Sequence, residues 1–359
     1  MATNAATGAR AAAPPRRRST RVSKAPISAD PARPGFHRPG TSVVARLFDA
    51  DHTDRVVDVV EGMAGTIPDR CLLWVDVTGK DPVASSGIVE LLGLEAKLAA
   101  ESGGPPLIEI HGDWFQVRVA AITSGARRER ALALDIVAAP NIVLTVHPAE
   151  IPFLADIDER LMRDTALGEI DSTSFVAVVL DGLVTSYLAT ADELEADVDR
   201  LDQEALRPTT RRDLLADLVQ LRHRIAAVRR ELTNHREVFA ALARADFEKV
   251  NGQAGSSHLR AVAERFERAI DAVERTREAL VGTFDIHATR TSQRTNEIVK
   301  VLTIVSVMLL PTTVIAGIMG MNIKAPYSID DPTIFWIVLV VIGTIAISTL
   351  AVLRQRHWI

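Results

Sequence analysis

Two stretches near the end of the chain carry no charged side chain: Val301–Ile323, 23 residues, and Pro332–Leu353, 22 residues. As helices rising 1.5 Å per residue, each reaches roughly 30 Å or slightly more, the hydrocarbon thickness of a bilayer. One such run can be the core helix of a large soluble domain. Two in succession point to a membrane hairpin. Arg290, Arg294 and Lys300 precede the first run, Arg354 and the terminal RHWI follow the second, and the connecting Lys324–Asp331 holds one lysine and two aspartates. The positive-inside rule then places both termini in the cytosol and the short loop outside, across a plasma (inner) membrane. Trp336 and Trp358 suit the two interfaces. Two spans cannot enclose a wide pore, so a chain of this kind that moves a solute does so as an oligomer. The alternative is a cytosolic domain anchored by a hairpin.

The rest of the composition excludes more than it selects. Net charge is −5, with no overall bias toward nucleic acid, and the single cysteine, Cys71, sits inside the apolar run CLLWVDV. No disulfide framework is possible, and a buried reduced thiol is expected. Residues 1–40 are rich in Ala, Pro and Arg and lack the apolar stretch of a signal peptide. They read as a disordered basic arm, in which RRRSTR and Lys24 form a cationic cluster suited to anionic headgroups.

Residues 41–165 read as an α+β cytosolic domain, a mixed sheet with flanking helices. Strands are expected over Ser42–Phe48, Cys71–Val77, Leu107–His111, Phe115–Ile122, Ala131–Val137 and Ile142–Val146, with HGDW as a hairpin turn between two of them. Helices are expected over Asp54–Met63 and near Ile88–Glu101. Residues 166–256 read as a coiled helical region. Ser174–Leu206 forms one helix, acidic from Asp192 to Glu204, and Pro208 breaks it. The next helix starts at Thr209 or Thr210, with Asp213 in its first turn. Its Leu214, Leu218, Leu221, Ile225, Val228, Leu232, Phe239 and Leu242 make a seam spaced by fours and threes. His235 falls on that seam and is read as a polar seam residue rather than a metal ligand. NGQAGSS (Asn251–Ser257) reads as a turn, with Ser256 or Ser257 capping the next helix. From 257 to 322 extends a stalk and pore helix, the first span lying at about 299–319. Its stripe of Leu259, Val262, Phe266, Ile270, Val273, Leu280 and Phe284 enters the apolar run without a break. An external loop (323–332), a second span (333–353) and a basic cytosolic tail (354–359) complete the chain.

Within the first span, Asn296, Val299, Thr303, Ser306, Leu310, Thr313 and Gly317 are spaced 3, 4, 3, 4, 3 and 4 apart, so they share one helical face. Val301, Ile304, Val305, Met308 and Ile315 hold the opposite face. Hydroxyls on such a face line a path, back-bond to the previous turn, or glue helices together. The face carries no acid or base. The run ends at Gly320–Met321–Asn322, where glycine lets the backbone leave the helix, Met321 packs outward on the second span, and the Asn322 carboxamide and Gly320 carbonyl offer neutral oxygens. Repeated around an axis, these would hydrogen-bond the water shell of Mg²⁺, an ion that dehydrates reluctantly.

These stretches resemble the CorA family of magnesium channels. TNEIVKVLTIVSVMLLPTTVIAGIMGMN (Thr295–Asn322) resembles the family's pore helix, RQRHWI its basic C-terminus, and VVLDGLVTSYLATADELEADVDRLDQEAL its acidic helix. The resemblance implies a homopentameric funnel conducting Mg²⁺ inward, with Co²⁺ and Ni²⁺ as further permeants. Gly320, Met321 and Asn322 would form the outer selectivity site. Val299, Leu302 and Leu310 would form a hydrophobic constriction, Thr303, Thr313 and Gly317 would line the pore, and Asn296 would form an inner polar ring. The resemblance also implies closure by internal Mg²⁺ at acidic sites between protomers, for which Asp285 and Glu101 are the matching residues. Mg²⁺ is then substrate and regulatory ligand, with no cofactor. The chain departs from the family where Ala261 replaces a stalk aspartate and where IKAPYSIDDP follows the Gly-Met-Asn motif. Competing readings are a zinc transporter of the same superfamily and a membrane-tethered coiled-coil scaffold. No phosphate-binding glycine loop, zinc-ligand spacing or nucleophile motif points to an enzyme.

Overall fold

The computed structural model describes residues 41–49, 54–59, 63, 67–68, 70–94, 96, 98, 104–123, 129–161, 171–207, 213–321 and 332–355. The basic arm, Glu101, Asn322, the loop 323–331 and the tail 356–359 lie outside the described residues.

The sheet comprises β1 (Thr41–Asp49), β2 (Arg55–Val57), β3 (Cys71–Gly79), β4 (Leu107–His111), β5 (Trp114–Thr123), β6 (Arg130–Ala139) and β7 (Ile142–His147). Their order is β2-β1-β3-β7-β6-β5-β4, and every pairing is antiparallel except β3 with β7. Strands β3 and β7 are near-continuous apolar runs because both sheet faces are covered. One face packs Leu73, Val75, Val77 and Leu144 against Ile88 and Val89 of α1 (Pro82–Leu91). The other packs Leu72, Trp74, Val117 and Ile136 against α2 (Pro152–Leu161) and α3 (Ser172–Ala205). The Trp74 and Phe175 rings are 5.4 Å apart there. The expected hairpin turn at HGDW is present, with Gly112 at φ +57°.

Strand β5 outruns β4, so among the described residues its edge beyond Arg118 has no strand partner, and two helices close it. The Tyr187 hydroxyl of α3 donates to the Ala120 carbonyl, and the Ala120 N–H donates to His235 Nε2 at 2.8 Å. His235 belongs to α4 (Leu214–Leu242) and is fully buried. Its Nδ1–H donates to the Glu231 carbonyl at 2.6 Å, which fixes a neutral ring. The expected seam position is correct, and the ring there satisfies an edge amide that would otherwise be buried unpaired.

Helix α5 (Ala245–Met319) is 75 residues long, about 110 Å. It corrects three expectations. NGQAGSS is helical, the chain turns instead at Ala243–Arg244, and neither Ser256 nor Ser257 caps a helix, so α5 crosses the expected boundary at 257. Gly255 serves contact rather than turning: a Cβ there would come within 2.7 Å of Thr173 at the start of α3. The helix expected over Asp54–Met63 is absent where described, and Arg55–Val57 pairs with β1 as a strand. The helix expected near Ile88–Glu101 starts earlier, at Pro82, because the Asp81 carboxylate caps the Val83 N–H at 3.0 Å and proline suits the first turn. α2 has no counterpart among the expected elements; α4 is described from Leu214, with Asp213 before it, and the expected starts Thr209 and Thr210 lie outside the described residues.

α3 runs parallel to α5, as Ser174–His258 and Asp181–Arg265 fix, and α4 antiparallel to it, as Arg236–Glu267 and Arg229–Glu274 fix. Phe239 and Phe266 stack at 3.9 Å inside this three-helix stalk.

Two histidines give stability opposite pH slopes. His147 donates from Nδ1 to the Ala149 carbonyl (2.6 Å) and from Nε2 to Asp76 (3.0 Å). Burial pulls its pKa down, but the hydrogen bond and charge of Asp76, with the Ala149 carbonyl, hold it above the ordinary 6.5. Its contribution is therefore complete below pH 6.5 and lost as pH rises through the folded value. Burial holds His235 below 6.5, so its contribution is complete above that pH and lost as pH falls through the folded value. Thermal unfolding followed against pH should show the alkaline decline flattened in His147→Asn. His235→Leu should flatten the acid decline and lower stability at pH 7.5 by about 1–3 kcal/mol through the unpaired Ala120 amide.

Candidate conduction site

The apolar end of α5 and the return helix α6 (Pro332–Gln355) are long and apolar enough to cross a membrane and are not covered by the rest of the chain. α3 also meets the length and composition criteria, but most of its apolar segment is buried against the sheet and stalk, so it is a core helix.

α6 packs along one side of α5. Ile304, Met308, Pro311, Thr312, Ile315 and Met319 of α5 are half-buried, as are Val338, Ile342, Ala346 and Thr349 of α6. At 100° per residue that side of α5 is centred roughly 160° from the face of Asn296, Val299, Thr303, Ser306, Leu310, Thr313 and Gly317. All seven residues of that face are exposed in the single chain. Leu302, assigned to the constriction by resemblance, is 65% exposed and lies roughly 70° off the centre of that face. Helix pairing thus covers Ile304, Met308 and Ile315 of the apolar face, leaves Val301 and Val305 exposed at 61% and 44%, and leaves the polar and small residues free. Pro311 supplies no N–H to the Val307 carbonyl, and α5 continues through it on the side facing α6.

The hydroxyls on the free face are engaged along their own helix. Thr303 donates to the Val299 carbonyl (2.8 Å), Ser306 to Leu302 (2.9 Å) and Thr313 to Leu309 (2.9 Å). The back-bonding reading holds, and it does not compete with lining a path. Each hydroxyl proton is used inward, so what remains to face outward is an oxygen with acceptor capacity.

At the helix end, two expectations are corrected. Gly320 is an ordinary right-handed cap, φ −79° and ψ −9°, with its N–H on the Ala316 carbonyl at 2.9 Å; no glycine-specific conformation is used. Met321, expected to pack outward on the second span, is instead 52% exposed. Asp285 is exposed on the stalk surface, and among the described residues no cluster of three or more His, Cys, Asp or Glu could hold a metal ion. Glu101 and Asn322, the remaining expected site residues, lie outside the described residues.

An α/β domain carried on a helical stalk, one stalk helix running on into a segment long and apolar enough to cross a membrane and a second such segment returning beside it, is the architecture of a membrane transport protein. The chain belongs to the CorA family: the family model described as "CorA-like Mg2+ transporter protein" matches residues 70–355. It is 29% identical over 182 residues to the cobalt/magnesium transport protein CorA of Thermotoga maritima, an alignment covering 50% of this chain and only about half, 51%, of that relative. It is 24% identical to the divalent cation transporter CmaX of Pseudomonas aeruginosa over 80% of this chain and 87% of that one. The solved CorA magnesium transporter of Methanocaldococcus jannaschii superposes with a TM-score of 0.74 at 20% identity, covering 88% of this chain and 98% of that chain, a likeness of fold.

The two faces of α5 make a labelling prediction. Cysteines placed at Thr303, Leu310 and Gly317 should react in membranes with a charged, membrane-impermeant thiol reagent, and cysteines at Ile304, Met308 and Ile315 should not. The native Cys71 is buried and gives no background. The reverse pattern would move any water path to another face.

Proposed function

We propose that several copies of this chain, five by the family resemblance, assemble around the free face of α5 to form a channel for Mg²⁺. The observation that carries this reading is the spent hydroxyl protons of Thr303, Ser306 and Thr313 on the face opposite α6. A hydrated cation directs its water protons outward, and a wall of neutral acceptors accommodates that shell without stripping it. Mg²⁺ holds its waters most firmly among the common biological cations, so it is the ion such a wall suits. The Gly320 carbonyl and the Asn322 carboxamide would repeat the arrangement at the outer mouth, with Met321 between them. Val299, Leu302 and Leu310 would close the path by dewetting, and Asn296 would ring its inner end. The membrane potential would drive entry with about 4.6 kcal/mol per 100 mV for a divalent ion.

Flux into proteoliposomes, compared for Mg²⁺, Co²⁺, Ni²⁺ and Zn²⁺, tests the reading. Zn²⁺ flux without Mg²⁺ flux would make the protein a zinc transporter, and no flux of any cation would leave a scaffold. Asn322→Ala should abolish Mg²⁺ flux while assembly, followed by size-exclusion chromatography, survives; wild-type flux from that variant would remove Asn322 from the selectivity site.

Regulation by internal Mg²⁺ would use Asp285 with an acid of a neighbouring copy, Glu101 being the residue the resemblance assigns. Asp285→Ala should shift inhibition of flux by internal Mg²⁺ to higher concentration by roughly tenfold, the loss of about 1.4 kcal/mol of site affinity. An unchanged inhibition curve would place the sensor elsewhere.

A further inference from the structure

The proposed conduction path makes no use of the stalk's clefts. Between α4 and α5 lies a cleft of about 370 Å³ whose rim carries Arg222, Arg229 and Arg277. Its floor is apolar, made by Ile225, Leu280, Val281 and Phe284. The volume falls within the range of small-molecule sites, about 300–1,000 Å³, and an apolar body with a few placed polar groups is their usual composition.

The helix geometry orders the charges. Arg222 and Arg229 are seven residues apart on α4, two turns or about 10 Å. Because α4 and α5 are antiparallel, Arg229 and Arg277 stand at the end nearer the sheet and Arg222 at the end nearer the membrane. Glu274 is shared at the sheet end: it pairs with Arg229, and Arg277 Nη1 lies 3.8 Å from its other oxygen. Arg229 and Arg277 share Glu274 and Arg222 stands about 10 Å along α4, so the three guanidiniums of the lining exceed the one paired carboxylate by two charges beside an apolar floor. Val281 at that floor is 50% exposed in the single chain.

We propose that this cleft binds a small organic phosphate. A phosphomonoester dianion matches the surplus of two charges, and guanidinium forks grip phosphate oxygens bidentately. The organic body, a flat ring the size of a nucleobase, lies on Leu280 and Val281 against the Phe284 ring. Such a ligand bridges α4 to α5 and ties its occupancy to the position of the helix that enters the membrane. The site stands apart from the transport reading, because nothing in it depends on ion flux.

The test is equilibrium binding to the full chain purified in detergent. AMP, phenyl phosphate and inorganic phosphate are titrated by calorimetry with EDTA present, so that no divalent cation can bridge. AMP or phenyl phosphate should bind saturably and at least tenfold more tightly than inorganic phosphate. Arg222→Ala and Arg277→Ala should each weaken binding at least tenfold, and Val281→Trp, which fills the cleft, should abolish it. Arg236→Ala removes an arginine paired with Glu267 outside the cleft and should leave binding unchanged. Size-exclusion profiles matching wild type show that each variant is folded. The proposal is overturned if neither organic phosphate binds the wild-type chain saturably. It is equally overturned if inorganic phosphate binds as tightly, or if the Arg222, Arg277 and Val281 variants all bind as wild type does.

Discussion

The structure depends on one uninterrupted ladder of backbone hydrogen bonds. A helix satisfies its own peptide groups equally well in water, against protein and in lipid, so α5 can pass from packing beside α3 to the apolar segment without changing geometry. What the environment changes is only which side chains are tolerated. The first half carries buried Leu259, Val262, Phe266, Val273 and Leu280 on one side and charges on the others, and the last part carries none. A displacement at one end has no loop in which to be absorbed, so the position of the stalk sets the position of the span.

That rigidity has to be anchored, and magnitudes say by what. Each apolar side chain buried on α5 is worth roughly 1.5–3 kcal/mol. The pair joining α5 to α3, Arg265 with Asp181, keeps 31% and 42% of its side chains exposed and belongs with surface pairs worth about 0–1 kcal/mol. The apolar seam therefore holds the stalk, and the ion pairs set its register. The sheet holds the seam in turn. α3 and α4 grip both backbone groups of Ala120, so the edge of β5 that could recruit a foreign strand is used to fix the helices.

Much of this is legible in the residues, and the departures have physical causes. The seam of α4 and the stripe of α5 follow from spacing alone, since burial on a helix repeats every three to four residues. NGQAGSS misleads because asparagine, glycine and serine favour turns locally, whereas the demand for Gly255 comes from Thr173, far away in sequence. Asp54–Met63 misleads because β2 is a three-residue strand, too short for a period of two to declare itself. The start of α1 is signalled by Asp81–Pro82, and weighting that cap above the later apolar residues finds it. At the candidate site, the free face of α5 is readable from the spacing of Thr303, Leu310 and Gly317. That α6 takes the side of Ile304, Met308 and Ile315 is not readable, because an apolar face suits lipid and a neighbouring helix equally. The right-handed cap at Gly320 is not readable, because a glycine is permitted every conformation and so announces none.

The absence of charge on the free face bears on which ion it suits. A carboxylate in a narrow path attracts a bare divalent ion strongly enough to hold it, and an ion that is held does not pass. Neutral acceptors give up that attraction and leave the ion its first waters, so entry costs little dehydration and exit costs little unbinding. An ion with a loosely held shell gains nothing from such a wall, whereas for Mg²⁺ the largest barrier is removed. The same neutrality leaves the path without its own means of refusing ions that share this size and hydration. On the proposed channel reading, discrimination would fall to the outer end of α5, where Gly320 and Met321 are exposed.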